Sequence, residues 1–322
     1  MVPEPALVER FRSDLNALIA PDKRIGIAVS GGPDSLALLL LAAVARPGKI
    51  EAATVDHRLR PESAAEAAMV AGLCNRLGVR HANLSAHWSD KPTTAIQERA
   101  RRERYRLLGF WTEERGLDAL ATAHHADDQA ETLLMRLARG AGVRGLAGMR
   151  ANSRTPGSEV QLIRPLLGWR RSALAQICRD AGVEAVNDPS NEDQQFERVR
   201  VRSNLAANGW LDASALAKSA LHLADAHAAI EWATQREWKQ SVRERSGLIA
   251  YRPSDAPDEV VRRIVARAVR HLATEGEIDV RGSELDHLLD ALRAGGVATL
   301  RGVRCEGGRE WRFNPAPARR ER

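Results

Sequence analysis

Three short stretches of the chain gather residue types that can do chemistry. The first is Ser30-Gly31-Gly32-Pro33-Asp34-Ser35, between the apolar runs "RIGIAV" and "LALLLLAAVA". Two glycines at a strand-to-helix turn let an anion approach the backbone, and the helix behind adds its positive end. Neither G-x-x-x-x-G-K-[ST] nor G-x-G-x-x-G is present. The loop is therefore a phosphate cradle without a lysine, or else a plain helix start. The second stretch, "VDHRLRPES", places Asp56 and His57 after another strand-like run. The third, "AHHADDQAET", crowds His124, His125, Asp127, Asp128, Gln129 and Glu131 together. So polar a cluster at a core edge is costly unless a ligand satisfies it. Asp127 and Asp128 could hold Mg²⁺ with phosphate oxygens, a substrate ammonium, or with the histidines a transition metal. They could also be a simple acidic first turn.

Two further stretches are cationic. "QERARRERY" (97–105) puts Arg101 and Arg104 on one helix face. "RLARGAGVRGLAGM" (136–149) carries Arg139 and Arg144 among four glycines and suits a flexible loop that admits an anion. The formal net charge is +6. Between 136 and 210, twelve arginines oppose seven acidic residues, which places an anionic partner there, nucleic acid first.

The elements that must position these groups alternate. Strand-like runs occur at 24–29, 50–55, 80–85, 117–123 and 160–166, with helical stretches at Ser35–Arg46, Glu62–Leu77, Thr94–Arg115, Asp127–Ala138 and Arg170–Ala181. This predicts an α/β fold with a parallel sheet, helices on both faces and ligands at the carboxyl ends of the strands. The chemical stretches fall at those ends. Residues 212–245 are alanine-rich and helical in pattern. Helices near Val260–Leu272 and Ser283–Ala294 and strand-like pieces within 297–313 follow. The predicted division is a catalytic domain over 1–211, a helical linker over 212–250 and a small α+β domain over 251–322 with a disordered basic tail.

No apolar run is long enough to span a bilayer, and the first residues do not read as a secretory signal. Cys74, Cys178 and Cys305 are odd in number and widely spaced. That argues against a disulfide framework or zinc site and fits a reducing cytoplasm.

Taken in order, "SGGPDS", "VDHRLRPES", "QERARRERY", "AHHADDQAET", "RGAGVRGLAGM", "RPLLGWRRSAL" and "NDPSNEDQQFERVRVR" closely resemble the bacterial tRNA(Ile)-lysidine synthases. Those enzymes are N-type ATP pyrophosphatases, also called PP-loop or adenine nucleotide alpha hydrolase-like. The resemblance covers roughly residues 20–210. It implies an ATP-dependent carbon–nitrogen ligase. ATP adenylates the C2 oxygen of the wobble cytidine of a tRNA(Ile) with a CAU anticodon, releasing pyrophosphate. Free L-lysine then displaces AMP to give lysidine. A loop without a lysine fits α,β-cleavage of ATP rather than γ-phosphate transfer.

The resemblance also implies roles. Ser30, Gly31, Gly32, Pro33, Asp34, Ser35, Asp56, His57 and His124 would bind ATP. Asp34 and Asp128 would bind Mg²⁺ or act in catalysis, and Asp127 with Asp128 would hold lysine or Mg²⁺. Arg104, with Arg101 as alternate, would contact phosphate or the activated cytidine. Arg139, Arg144, Arg198, Arg200 and Arg202 would contact tRNA phosphates. A homodimer is compatible with the sequence. One departure is Thr93-Thr94-Ala95-Ile96, where the family usually carries an asparagine. The rivals are a PP-loop tRNA thiolase, which relies on paired cysteines absent here, and a non-catalytic ATP- and RNA-binding module.

Overall fold

The computed structural model describes residues 2–58, 63–86, 88, 96–186, 193–273, 280 and 282–317. Thr93–Ala95, all of "NDPSN" and the last five residues of the tail lie outside the described residues. The chain divides into two compact units, Met1–Ala224 and Asp225–Arg322.

The first unit runs α1 (Pro5–Asn16), β1 (Ile25–Ala28), α2 (Pro33–Ala45), β2 (Ile50–Asp56), α3 (Ser63–Arg76), β3 (Arg80–Ser85), α4 (Ile96–Glu114), β4 (Ala119–Ala121), α5 (Ala126–Leu137), α6 (Val143–Leu146), β5 (Asn152–Arg154), β6 (Gln161–Ile163), α7 (Arg171–Asp180) and α8 (Glu197–Ala207). α9 (Ala213–Ser241) follows. The sheet order is β3-β2-β1-β4-β6-β5. All pairings are parallel except β5 with β6. The chain winds outward from β1 to β3 and then returns to the other side of β1 for β4. The topological switch point thus lies between β1 and β4, where open α/β sheets bind ligands.

Both sheet faces are covered. On one face α1, α2, α3 and α7 bury Phe11, Leu36, Leu39, Leu73 and Ile177 against Ile25 and Ile27. α2 is apolar nearly all round, so it serves as a core helix. On the other face α4 packs Tyr105, Leu108 and Trp111 over Leu120 and Leu162. Gly26 permits this approach, because a Cβ there would lie 2.6 Å from the Trp111 ring. At the amino end of the sheet, buried Glu51 accepts from Arg24 and Arg115 at 2.6 and 2.9 Å.

The second unit holds β7 (Val242–Arg245), β8 (Leu248–Tyr251), α10 (Asp258–Leu272), α11 (Gly282–Arg293), β9 (Val297–Leu300), β10 (Val303–Glu306) and β11 (Trp311–Pro315). Its antiparallel sheet runs β7-β8-β11-β10-β9. Tyr251, Ile264, Val265, Leu289, Leu292 and Phe313 form its core, with Tyr251 edge-on to Trp311. This differs from the division expected at 211 and 250. The hairpin at 242–251 belongs to the small unit's sheet, because Ile249 and Tyr251 alternate inward to its core. α1, α8 and the edge strand β5 were not anticipated.

Candidate active site

The loop after β1 is closed from within. Ser35 Oγ accepts from the Ser30 N–H at 3.1 Å and donates to the Gly32 carbonyl at 2.9 Å. The Ser30 amide is therefore already committed, which removes it from a phosphate cradle. Gly31 has φ +84°, and its carbonyl accepts from Val186 N–H. Gly32 caps α2 without a side chain, and Pro33 occupies the first turn. The N–H groups of that first turn have no intrahelical acceptor and point outward. From below, Cys178 Sγ donates to the Pro33 carbonyl.

Asp34 sits in that first turn, and its Oδ1 is buried with no hydrogen-bond partner among the described residues. Its Oδ2 lies 3.4 Å from His125 Nε2. His125 is buried and caps α5 in a reciprocal box. Its Nδ1 accepts from Asp128 N–H, and Asp128 Oδ2 accepts from His125 N–H. Nε2 is also 3.5 Å from Asp128 Oδ2, and Nδ1 is 3.7 Å from Asp127 Oδ2. Burial alone lowers the His125 pKa. The bond to Asp34 and the charges of Asp128, Asp34 and Asp127 outweigh it and hold the pKa above the ordinary histidine value. The capping bond to Nδ1 belongs to the neutral ring. In either protonation state Nε2–H faces Asp34 and Asp128. In the sequence His125 shows only as part of a polar cluster, although its place just before "ADD" marks a helix cap.

The remaining acids are held by arginines. Asp127 accepts from the Arg170 guanidinium at 3.3 Å and from Arg171 N–H at 2.8 Å. Glu131, 1% exposed, accepts from Arg198 Nε at 2.7 Å and Arg202 Nε at 2.6 Å. Arg198 also approaches Asp128 at 3.4 Å. This corrects the expectation that Arg198 and Arg202 face tRNA phosphates. Four residues apart on α8, they share the face turned to α5, while Arg200 lies on the exposed face. Arg200 donates to the carbonyls of Gln194 and Gln195. Arg139 pairs with Glu197, and Arg144 is exposed. Arg170 is shared with Asp212, so five carboxylates, Asp34, Asp127, Asp128, Glu131 and Asp212, face three guanidiniums when His125 is neutral.

A cationic group lies beside this acidic one. His124 Nδ1 is 2.9 Å from Thr122 Oγ1. Burial, then the charges of Arg164, Arg101 and Arg198, push its pKa down to about 3. Arg101 stacks over the Tyr105 ring at 5.1 Å. Arg164 is buried and donates to the Arg150 carbonyl and Ser153 Oγ. Arg104 serves the neighbouring strand instead. Burial and then its charge push the His57 pKa down to about 4. Both ring nitrogens of His57 are buried without a partner among the described residues. Asp56 Oδ1 accepts from Arg58 N–H and Ser63 Oγ, which ties the end of β2 to the start of α3.

The glycine stretch at 140–148 is not a free loop. It contains α6, and Gln129 pins it by exchanging hydrogen bonds with both backbone groups of Met149. Arg136 adds a bond to the Gly145 carbonyl.

The geometry is a switch-point site with an anion-attracting half and an acidic half, and known proteins share its frame. Residues 6–208 match the family model described as "PP-loop domain". The tRNA(Ile)-lysidine synthase of Novosphingobium aromaticivorans is 51% identical over 97% of this chain and 94% of the relative. That of Zymomonas mobilis is 42% identical over 92% of this chain and 90% of the relative. Among solved structures, the U34-tRNA thiolase NcsA from Methanococcus maripaludis aligns with TM-score 0.56 at 15% identity, covering 69% of this chain and 80% of that one. At that identity it speaks to fold alone. The chain belongs to the PP-loop family and, within it, to the tRNA(Ile)-lysidine synthase family.

Proposed function

We propose that the protein ligates L-lysine to C2 of the wobble cytidine of a tRNA(Ile) with a CAU anticodon, consuming ATP to AMP and pyrophosphate. The observation that carries this is the buried, unpartnered Oδ1 of Asp34, set between a lysine-free phosphate loop and the acidic start of α5.

The phosphate loop and the group of His124, Arg101 and Arg164 suit the anionic half of the reaction. Backbone N–H groups at the start of α2 receive phosphate oxygens. Fixed guanidiniums oppose the charge that develops as pyrophosphate leaves. Arg104 lies at the β2 side, by His57, where nucleotide or cytidine would pass.

The acidic half suits an amine. Free lysine carries its side-chain amine as an ammonium, with an ordinary pKa of about 10.4. It must be neutralised by carboxylates and lose a proton before it can attack. In this reading Asp34 and Asp128 take that role, with His125 Nε2 between them at 3.4 and 3.5 Å. Asp127 is held by Arg170 and serves to fix the start of α5.

Mg²⁺ fits the same donors. Among the described residues no group of three or more ligating side chains forms a ready cage. Mg²⁺ typically takes one or two carboxylates plus phosphate oxygens, and Asp34 Oδ1 with Asp128 meets that pattern. When bound there it would neutralise phosphate charge.

Cys74, Cys178 and Cys305 are each buried and free, so nothing favours a thiolase. A cytoplasmic setting, where such thiols stay reduced, accompanies this reading. The test is incorporation of labelled lysine into tRNA(Ile) bearing CAU, in the presence of ATP and Mg²⁺. Folded protein with intact tRNA and no incorporation would contradict the function.

A further inference from the structure

We infer that Trp210 is a stacking platform for an unpaired base of the RNA loop that carries the reacting cytidine. The inference rests on the proposed function for its substrate, and goes beyond it in assigning a contact outside the chemical centre.

Trp210 is 81% exposed, the highest value among the exposed large apolar side chains described. An indole is usually among the most buried groups because of its large apolar area. Among the described residues no ring or guanidinium stacks on it. The connection from α8 to α9 is closed by Leu211 N–H donating to the Asn208 carbonyl at 3.0 Å. Asp212 Oδ2 then caps α9 by accepting from Ala215 N–H at 2.9 Å. A bulky aromatic thus stands exposed on a hydrogen-bonded turn.

That turn is tied to the site. Asp212 Oδ1 accepts from Arg170 Nη1 at 3.0 Å, and Arg170 Nη2 lies 3.3 Å from Asp127 Oδ1. Trp210 is two residues from Asp212, at most about 7 Å of chain. It therefore stands on a turn tied through Arg170 to the start of α5, in the acidic half. The surroundings suit RNA. Arg200 lies on the exposed face of α8, and Asp212 is bonded to Arg170. Loop bases are recognised by being splayed out and stacked on aromatic rings, and such stacking tolerates any base.

The test uses the full-length protein with Trp210→Ala and Trp210→Phe. Because the side chain is exposed, neither variant disturbs the core. Trp210→Ala should raise KM for tRNA about tenfold, a typical stacking contribution, with KM for lysine and ATP unchanged. Trp210→Phe should restore most of the affinity. The Kd of a fluorescent anticodon stem-loop, by anisotropy at fixed salt, should move in parallel whether or not lysine is transferred. Lysine transfer by the wild type with a Kd within twofold in the alanine variant would overturn the platform and leave the function standing. A phenylalanine variant as weak as alanine, or loss of self-association in the alanine variant without a change in RNA Kd, would also overturn it. No stem-loop binding by the wild type would overturn the platform together with the function.

Discussion

His125 Nε2 lies 3.4 Å from Asp34 Oδ2, joining the loops after β1 and β4 across the switch point. The same ring nitrogen is 3.5 Å from Asp128. One imidazole thus fixes two carboxylates from separate elements and leaves Asp34 Oδ1 unpartnered.

Asp34→Asn keeps the size of the side chain and removes its charge. Lysine transfer should fall by at least about 100-fold, the scale of a lost proton-transfer group. tRNA affinity, measured by anisotropy, should stay within about twofold. Near-normal turnover would remove Asp34 from the chemistry.

Gly31→Ala should weaken nucleotide binding and cost about 1–2 kcal/mol of stability. The left-handed φ of +84° strains any residue with a Cβ. The added methyl would also sit 3.3 Å from Val186 Cγ2. Thermal unfolding and ATP titration measure the two effects.

Arg200 and Arg202 should behave differently although they are two residues apart. Arg200→Ala should lower tRNA affinity and reduce the salt slope by about one, as for a lost phosphate contact. Arg202→Ala leaves Glu131 short of a partner. It should lower stability by about 1.5–3 kcal/mol, the range for a hydrogen bond to a charged group, with the salt slope unchanged. Equal salt slopes in both variants would contradict the inward and outward faces of α8.

Stability should peak near neutrality. His57 and His124 have pKa values depressed to about 4 and about 3. The unfolded chain takes up their protons first as pH falls below about 6.5, so stability is lost on acidification. His125 is raised, so its contribution is complete below about 6.5 and lost as pH rises through the folded pKa. Chemical denaturation across pH 4–9 should show both slopes, and His125→Asn should flatten the alkaline one. An unchanged alkaline slope in that variant would count against the charge cluster.

Much of this was legible in the sequence. Runs such as "RIGIAV" and "IEAATV" became β1 and β2 because parallel strands are buried on both faces and read as continuous apolar stretches. The strand-end rule then pointed to Asp34, His57 and Asp128. What escaped reading depended on partners distant in sequence. Glu131 looked like one more acid in a polar turn, and only the packing of α8 on α5 makes it the buried anchor of Arg198 and Arg202. "RVRVR" carries no sign of which arginines turn inward until its helical phase is known. The glycines at 140–148 suggested freedom, but Gln129, twenty residues before Met149, fixes that segment. Trp210 and Arg170 stood out by no spacing at all.

The most direct measurement follows ATP labelled on its α- and γ-phosphates during lysine transfer to tRNA(Ile) bearing CAU. The expected result is AMP and pyrophosphate, each equal to the lysine incorporated, with all three falling together by at least about 100-fold in Asp34→Asn. Release of ADP and inorganic phosphate, or lysine transfer without AMP, would contradict a lysine-free loop built for α,β-cleavage.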